Sequence, residues 1–331
     1  MKILILAEAT DGKANKMTAE LMGLAGRLAE IVKGEVHVAL LGPQGSETQQ
    51  AAGELVALGA QKVHLFSHEA LNVYQADLYA QVLHSLFREI DPDVVLFGND
   101  IIGRDLAPRL AVRIGAGCSM DCLDLVYNPE RGSFYGIHPV YGGNVINFLS
   151  SRRRPYLFTI RPRCQEPAME DKARKGEIIE VDISMDGIRQ RTRIVGYSTS
   201  SGGDVRLEDA RVIVSGGRGL GGPEGFEVLK ELAAVLGGTV GASRAAVDSG
   251  WIDPNRQIGL TGKFVSPQLY IAVGISGASQ HMTGCAASKT IICVNTNPEA
   301  AIFKRAQYGV VGDYRLVIPK MIPEFKKILK E

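Results

Sequence analysis

A chain of 331 residues with 37 basic and 36 acidic side chains carries a net charge of +1, which provides no field for holding a polyanion and excludes nucleic acid as an expected partner. The length predicts two domains of ordinary size. No apolar run approaches the ~18 residues a bilayer span needs, so a soluble, cytoplasmic protein with no membrane span and no secretory signal is expected. Five cysteines, none spaced Cys-x-x-Cys, fit free thiols in a reducing compartment. Cys118 and Cys122, like His64 and His68, share a four-residue spacing. Neither pair has a second pair placed to complete a zinc set, so no metal is expected.

The first half alternates strand and helix. Residues 2–7 read as a strand, 18–32 as a helix with Leu21, Leu24, Leu28 and Ile31 on one face, and 35–41 as the next strand. A helix over 46–58, a strand over 62–66, a helix over 74–90, a strand over 93–98 and a helix over 103–114 follow. Repeated β-α units predict a parallel sheet with helices on both faces. After Gly115 the texture changes to short runs rich in Gly, Tyr and Asn, and residues 141–148 and 156–160 read as antiparallel strands at the edge of this domain. Arg152, Arg153 and Arg154 read as a solvated turn, because overall charge lends an anion site no support. Residues 165–208 hold a strand or two and a linker that ends Tyr197-Ser-Thr-Ser-Ser-Gly-Gly-Asp204. The domains are therefore expected at residues 1–204 and 205–331.

The second domain opens with a strand over 211–214 and a loop in which Gly217, Gly219 and Gly222 satisfy G-x-G-x-x-G, followed by a helix over 224–236. The nicotinamide fingerprint needs a carboxylate about 20 residues on, at the end of the next strand. That strand, 239–242, ends instead in Ser243 and Arg244. Arginine rejects the NAD signature but suits a 2′-phosphate, which leaves an NADP-dependent reductase using the Gly217 to Gly222 loop as the alternative reading.

Residues 257–281 organise the remainder. A strand over 269–273, bounded by Pro267 and Gly274, has the continuous apolar texture of a strand buried on both faces. Ligands of open parallel sheets bind beyond the strands' carboxyl ends, where free amides at the start of the next helix attract anions. Ser276 and Gly277 fall at that junction; alone, they read equally well as a simple turn. Another buried strand over 289–295 leads to Asn295 and then to Asp313. Arg218, Ser243, Arg244, Gln257, Gly259, Thr261, Gly262, Gly274, Ser276, Gly277, Gln280, His281, Asn295 and Asp313 form the candidate cofactor site. They lie in or beside loops after successive predicted strands, so one sheet edge could present them to a dinucleotide with a redox ring. Singly, His281 reads as a core or capping histidine and Thr261 as a turn residue.

Taken together, Gln257-Ile-Gly-Leu-Thr261-Gly, Gly274-Ile-Ser-Gly-Ala-Ser-Gln280-His281 and the run from Asn297 to Asp313 are specific. The stretch from about Ser243 to Asp313 resembles the FAD-binding domain of electron-transfer flavoprotein alpha subunits, and the rest of the chain fits that family in length and order. The resemblance implies an α/β protein of two domains with mainly parallel sheets flanked by helices, the second a Rossmann-like FAD-binding domain. It implies FAD as cofactor and an electron-transfer flavoprotein beta subunit as partner, met by the first domain. It further implies electron shuttling between an acyl-CoA dehydrogenase-type flavoenzyme of fatty acid beta-oxidation and another redox partner, with electron bifurcation left open. By the same resemblance Ser243, Ser276 and Gly277 hold the FAD phosphates, Asn295 and Asp313 lie toward the adenosine, and Arg218 borders the cofactor. Arg244 packs by the isoalloxazine ring, Thr261 reaches its N5, and His281 approaches its pyrimidine edge. Leu260 departs from the family's usual glutamine and removes an amide beside Thr261. No nucleophile-base pair, metal set or acid pair suggests a site for a carbon substrate, so no catalytic residue is expected.

Overall fold

The computed structural model describes residues 1–141, 145–183, 191–192, 194–195 and 205–329. The chain divides into two units: Met1–Pro139 with Ile146–Tyr197, and Ser198–Glu331 with Val140–Val145. The expected linker over 197–204 lies outside the described residues.

In the first unit, strands β1 (Lys2–Ala7), β2 (Glu35–Gly42), β3 (Lys62–Ser67) and β4 (Val94–Gly98) alternate with helices α1 (Lys16–Val32), α2 (Ser46–Ala57), α3 (Ala76–Ile90) and α4 (Ile101–Ile114). Their strands are apolar on both faces because helices cover both, and two separate cores result, one on each side of the sheet. Asn15 starts α1 by accepting the Thr18 amide at 2.7 Å. Leu21, Leu24 and Leu28 are buried as expected, but Ile31 is 56 % exposed; three residues on from Leu28, it falls at the margin of the stripe.

Strands β5 (Cys118–Cys122), β6 (Asp124–Asn128), β7 (Ser133–Val140), β8 (Val145–Leu149), β9 (Tyr156–Ile160) and β10 (Glu177–Glu180) complete this unit. The expected antiparallel edge exists, since β6 pairs antiparallel with β7 and β8 joins them. However, β9 does not belong to it. It lies parallel between β4 and β5 in a seven-stranded parallel sheet ordered β10-β3-β2-β1-β4-β9-β5. All five of its residues are buried, which an interior position requires and a half-solvated edge would not.

The second unit contains β11 (Val212–Gly216), α5 (Gly225–Val235), β12 (Thr239–Ala242), α6 (Arg244–Asp248), β13 (Leu269–Val273), α7 (Ser279–Cys285), β14 (Thr290–Asn295), β15 (Tyr308–Val311) and α8 (Tyr314–Ile328). Five parallel strands are ordered β12-β11-β13-β14-β15. Phe226, Leu229 and Leu232 of α5 and Ile318 and Ile322 of α8 bury one face of this sheet. No helix among the described residues is long and apolar enough to cross a membrane.

Candidate functional site

Strand β11 is followed in the chain by a neighbour on one side, β12, and later by one on the other, β13. The carboxyl ends of β11 and β13 therefore flank the switch point at which doubly wound sheets hold their ligands.

Two glycine loops meet there, and their amides differ. In the first loop, the amides of Gly217, Gly219, Leu220 and Gly221 donate to the carbonyls of Val273, Gly274, Gly217 and Arg218. A Cβ on Gly217 would lie 2.7 Å from Ile275 Cγ1, and one on Gly219 would lie 2.8 Å from Gly274 Cα. These glycines let one loop pack on the other, and their amides are already engaged. With the amides of Gly217 and Gly219 engaged, the G-x-G-x-x-G pattern has fewer donors to offer a pyrophosphate than the second loop, which weakens the nicotinamide alternative.

The second loop is open. Gly274 and Gly277 hold φ of +63° and +84°, a region L side chains rarely adopt. The Ser276 carbonyl accepts from Ile302 at 3.1 Å and the Ile275 carbonyl from Asn295 Nδ2 at 2.9 Å. The amides of Ser276, Gly277, Ala278, Ser279 and Gln280 meet no acceptor among the described residues. Consecutive amides without acceptors form an anion-binding concavity.

Residues 257–263 close on this loop from the other side. The Ile258 amide donates to Ala242 at the end of β12, and the Leu260 amide donates to the Gln280 carbonyl at 2.7 Å. Gly259, with φ of +142°, and Gly262 permit the turn between them; a Cβ on Gly262 would lie 2.8 Å from the Gln257 carbonyl carbon. Thr261 is exposed, and its Oγ1 accepts from Gln257 Nε2 at 3.0 Å. Arg244 is exposed at the start of α6 and pairs with Asp248 at 3.2 Å, while Arg218 is exposed on the first glycine loop. The Ser243 amide donates to the Gly216 carbonyl, and its side chain makes no cap bond to α6. Asn295 ends β14, and Asp313 caps α8 by accepting the Arg315 amide at 2.9 Å. The candidates thus form a row along one sheet edge. With strands about 4.8 Å apart, five strands spread them over roughly 19 Å, the reach of an extended dinucleotide more than of a single small ring.

His281, in the first turn of α7, borders the same edge from within the core. It is buried, its Nδ1 lies 3.0 Å from the Ile258 carbonyl and its Nε2 lies 2.8 Å from the Tyr270 hydroxyl. A carbonyl only accepts, so Nδ1 carries the proton and Nε2 accepts from Tyr270. Burial pushes its pKa down to about 4, so the ring is neutral at neutral pH. Both ring nitrogens are engaged within the fold. Tyr270 was not singled out in the sequence. The available signal was a hydroxyl inside an otherwise aliphatic buried strand, where it needs a partner.

The switch point of the first unit, between β1 and β4, is chemically the opposite. Glu8 and Asp100 follow those strands, and burial, aided by the Asp100 charge, pushes the Glu8 pKa up to about 8. The Asp100 carboxylate there disfavours phosphate, and a protonated Glu8 beside it offers no positive charge.

Residues 3–185 match the electron transfer flavoprotein domain, and residues 206–286 match the electron transfer flavoprotein FAD-binding domain. The chain belongs to the electron transfer flavoprotein alpha-subunit family. It is 42 % identical over 327 residues to the electron transfer flavoprotein subunit alpha of Thermoanaerobacterium thermosaccharolyticum, covering 98 % of both chains. It is 40 % identical to the subunit alpha of Bacillus subtilis, covering 99 % of this chain and 98 % of that one, and 38 % identical to protein FixB of Clostridium saccharobutylicum, covering 99 % and 97 %. This electron transfer flavoprotein subunit is an electron carrier with FAD as its cofactor. The open amides and exposed arginines of the second unit fit that anionic dinucleotide, whereas the carboxylates of the first do not.

Proposed function

We propose that this alpha subunit pairs with an electron transfer flavoprotein beta subunit, holds FAD along the carboxyl edge of its second sheet, and carries electrons between an acyl-CoA dehydrogenase-type flavoenzyme and another redox partner. The setting is fatty acid beta-oxidation in the cytoplasm. Residues 1–204 provide the contact for the beta subunit and residues 205–331 hold the cofactor. The observation that carries the reading is the run of five acceptorless amides at the switch point, on a sheet edge that also presents the exposed Arg218 and Arg244, neither in a buried ion pair.

Bound FAD supplies the redox chemistry, and the chain supplies position and field. The amides of residues 276–280 bind the pyrophosphate, with the Ser243 hydroxyl beside them. Because Thr261 Oγ1 accepts from Gln257, its own hydrogen is free to donate. Arg244 stays charged at every relevant pH and favours added negative charge nearby. Asn295 and Asp313 stand at the far end of the row, toward the adenosine.

Co-expression with the beta subunit, followed by a visible spectrum and a count of flavins per heterodimer, tests this. A yellow heterodimer whose colour depends on residues 276–280 is expected. A correctly assembled, colourless preparation that takes up no added FAD would end the proposal.

A further inference from the structure

The first turn of α8 is pinned at three points. The Gly312 amide donates to the Asn295 carbonyl at the end of β14 at 3.0 Å, the Asp313 side chain accepts the Arg315 amide at 2.9 Å, and the Tyr314 hydroxyl donates to the Leu220 carbonyl of the first glycine loop at 2.9 Å. Arg315 follows directly, so its backbone is fixed by the sheet edge. Its guanidinium carbon stands 5.3 Å from the centre of the Tyr314 ring, which is buried, and a Cβ on Gly221 would lie 3.6 Å from its Nη2. The residue is exposed and makes no ion pair among the described residues. A guanidinium held in place against an aromatic ring, with no anionic partner, is equipped to stack on a second planar group.

We infer that Arg315 is a further FAD-binding residue, which holds the adenosine half of the cofactor by stacking on the adenine. The inference rests on FAD lying along this edge with its adenosine toward Asn295 and Asp313. Arg315 belongs to the turn that joins the end of β14 to the first glycine loop, and these bound that end of the row. The loop cannot recognise the base through its backbone donors, because the amides of Gly217, Gly219, Leu220 and Gly221 are all engaged. Adenine is uncharged at neutral pH and offers a face, for which a planar cation is a better partner than the point charge of a lysine. The contact is the same for oxidised and reduced flavin. It therefore bears on affinity and not on potential, the reverse of Arg244.

The test is FAD affinity, measured by reconstitution of the FAD-stripped heterodimer, together with the urea midpoint of the stripped protein and a redox titration of the loaded one. Arg315→Ala is expected to weaken FAD about fivefold, with the urea midpoint and the flavin potential both where wild type has them. Arg315→Lys is expected to lose nearly as much. Wild-type affinity in Arg315→Ala overturns the inference. A fall in the urea midpoint that matches the lost affinity also overturns it, since the arginine would then only pack the first turn of α8. A shifted potential would place the residue by the redox ring, and full affinity in Arg315→Lys would show a phosphate held by charge alone; either result overturns the stacking assignment. Should Arg315→Ala fail to assemble, Arg315→Lys decides by the same three measurements. A wild-type heterodimer that takes up no FAD removes the functional reading and the inference together, whereas a yellow wild type matched in affinity by Arg315→Ala removes the inference alone.

Discussion

Gly277→Ala is the substitution whose effect the geometry specifies most completely. At φ of +84° an alanine costs ~1–2 kcal/mol, partly offset by ~0.4–1 kcal/mol because the unfolded chain is stiffened as well. The new methyl would also overlap the Ile302 nitrogen and lie 2.6 Å from Ile302 Cα and 2.9 Å from the Ala301 carbonyl carbon. All three are backbone atoms, which cannot rotate away as a side-chain tip would. Forced overpacking of this kind costs ~1–3 kcal/mol, so the sum is roughly 1–5 kcal/mol, centred near 3. Relief must come by pushing residues 301–302 outward, which breaks the Ile302 to Ser276 bond and distorts the open amide run. The control is Gly250→Ala: φ is +72° there and nothing lies within 4 Å, so only the backbone contribution of about 1 kcal/mol remains. Urea midpoints of the two heterodimers, with retention of FAD on gel filtration, separate the contributions. Equal destabilisation by both substitutions, with FAD retained in both, would refute the argument that close approach at Gly277 shapes the site.

The other expectations concern charge and protons. Arg244→Ala should lower the flavin's one-electron potential by tens of millivolts, on a scale of ~59 mV per tenfold, and by less than a buried arginine would because Arg244 is exposed and shares its charge with Asp248; an unchanged potential in a redox titration rejects the role. His64 is 5 % exposed, with its Nδ1 unpartnered, and burial, followed by the influence of His37 and Lys62, pushes its pKa down to about 4. The unfolded chain therefore takes up the proton first. The contribution is fully present above about pH 6.5 and is lost as pH falls toward 4, reaching ~2 kcal/mol by pH 5. Urea midpoints should show a shallower acid loss in His64→Gln than in wild type, and parallel pH curves would refute this. Glu8 has the opposite sign: its folded pKa is raised, so it destabilises increasingly as pH climbs from about 4.5 to about 8. Glu8→Gln should gain on wild type across that window and level off above it, and a pH-independent difference would disprove the raised pKa of Glu8.

Where the sequence was legible, the cause was local. Strands β1 to β4 and β11 to β14 are apolar runs bounded by glycine, proline or charge, and their order in the chain is enough to place the loops after them on one edge. Strand β9 was misplaced although Tyr156-Leu-Phe-Thr-Ile160 is as continuous a run as any other. The intervening antiparallel excursion over β6 to β8 suggested that the chain had already left the main sheet, and nothing local shows that it returns to pair with β4 and β5. The candidate site divides in the same way. That glycines and serines follow β11 and β13 can be read directly. Which loop keeps its amides free cannot, because Gly217 and Gly219 give up theirs to Val273 and Gly274, residues far along the chain that only folding brings within reach. The hydrogen-bond partners of His281 are not legible for a similar reason: they are Tyr270 and Ile258, on other elements. Leu260 shows the reverse case. Leucine departs there from the family's usual glutamine, yet it is the Leu260 backbone amide that holds the loop to Gln280, and the side chain is 56 % exposed. The loop's position is therefore indifferent to that side chain. What the leucine changes is the surface beside Thr261, which becomes apolar where an amide would have competed for the threonine's hydroxyl.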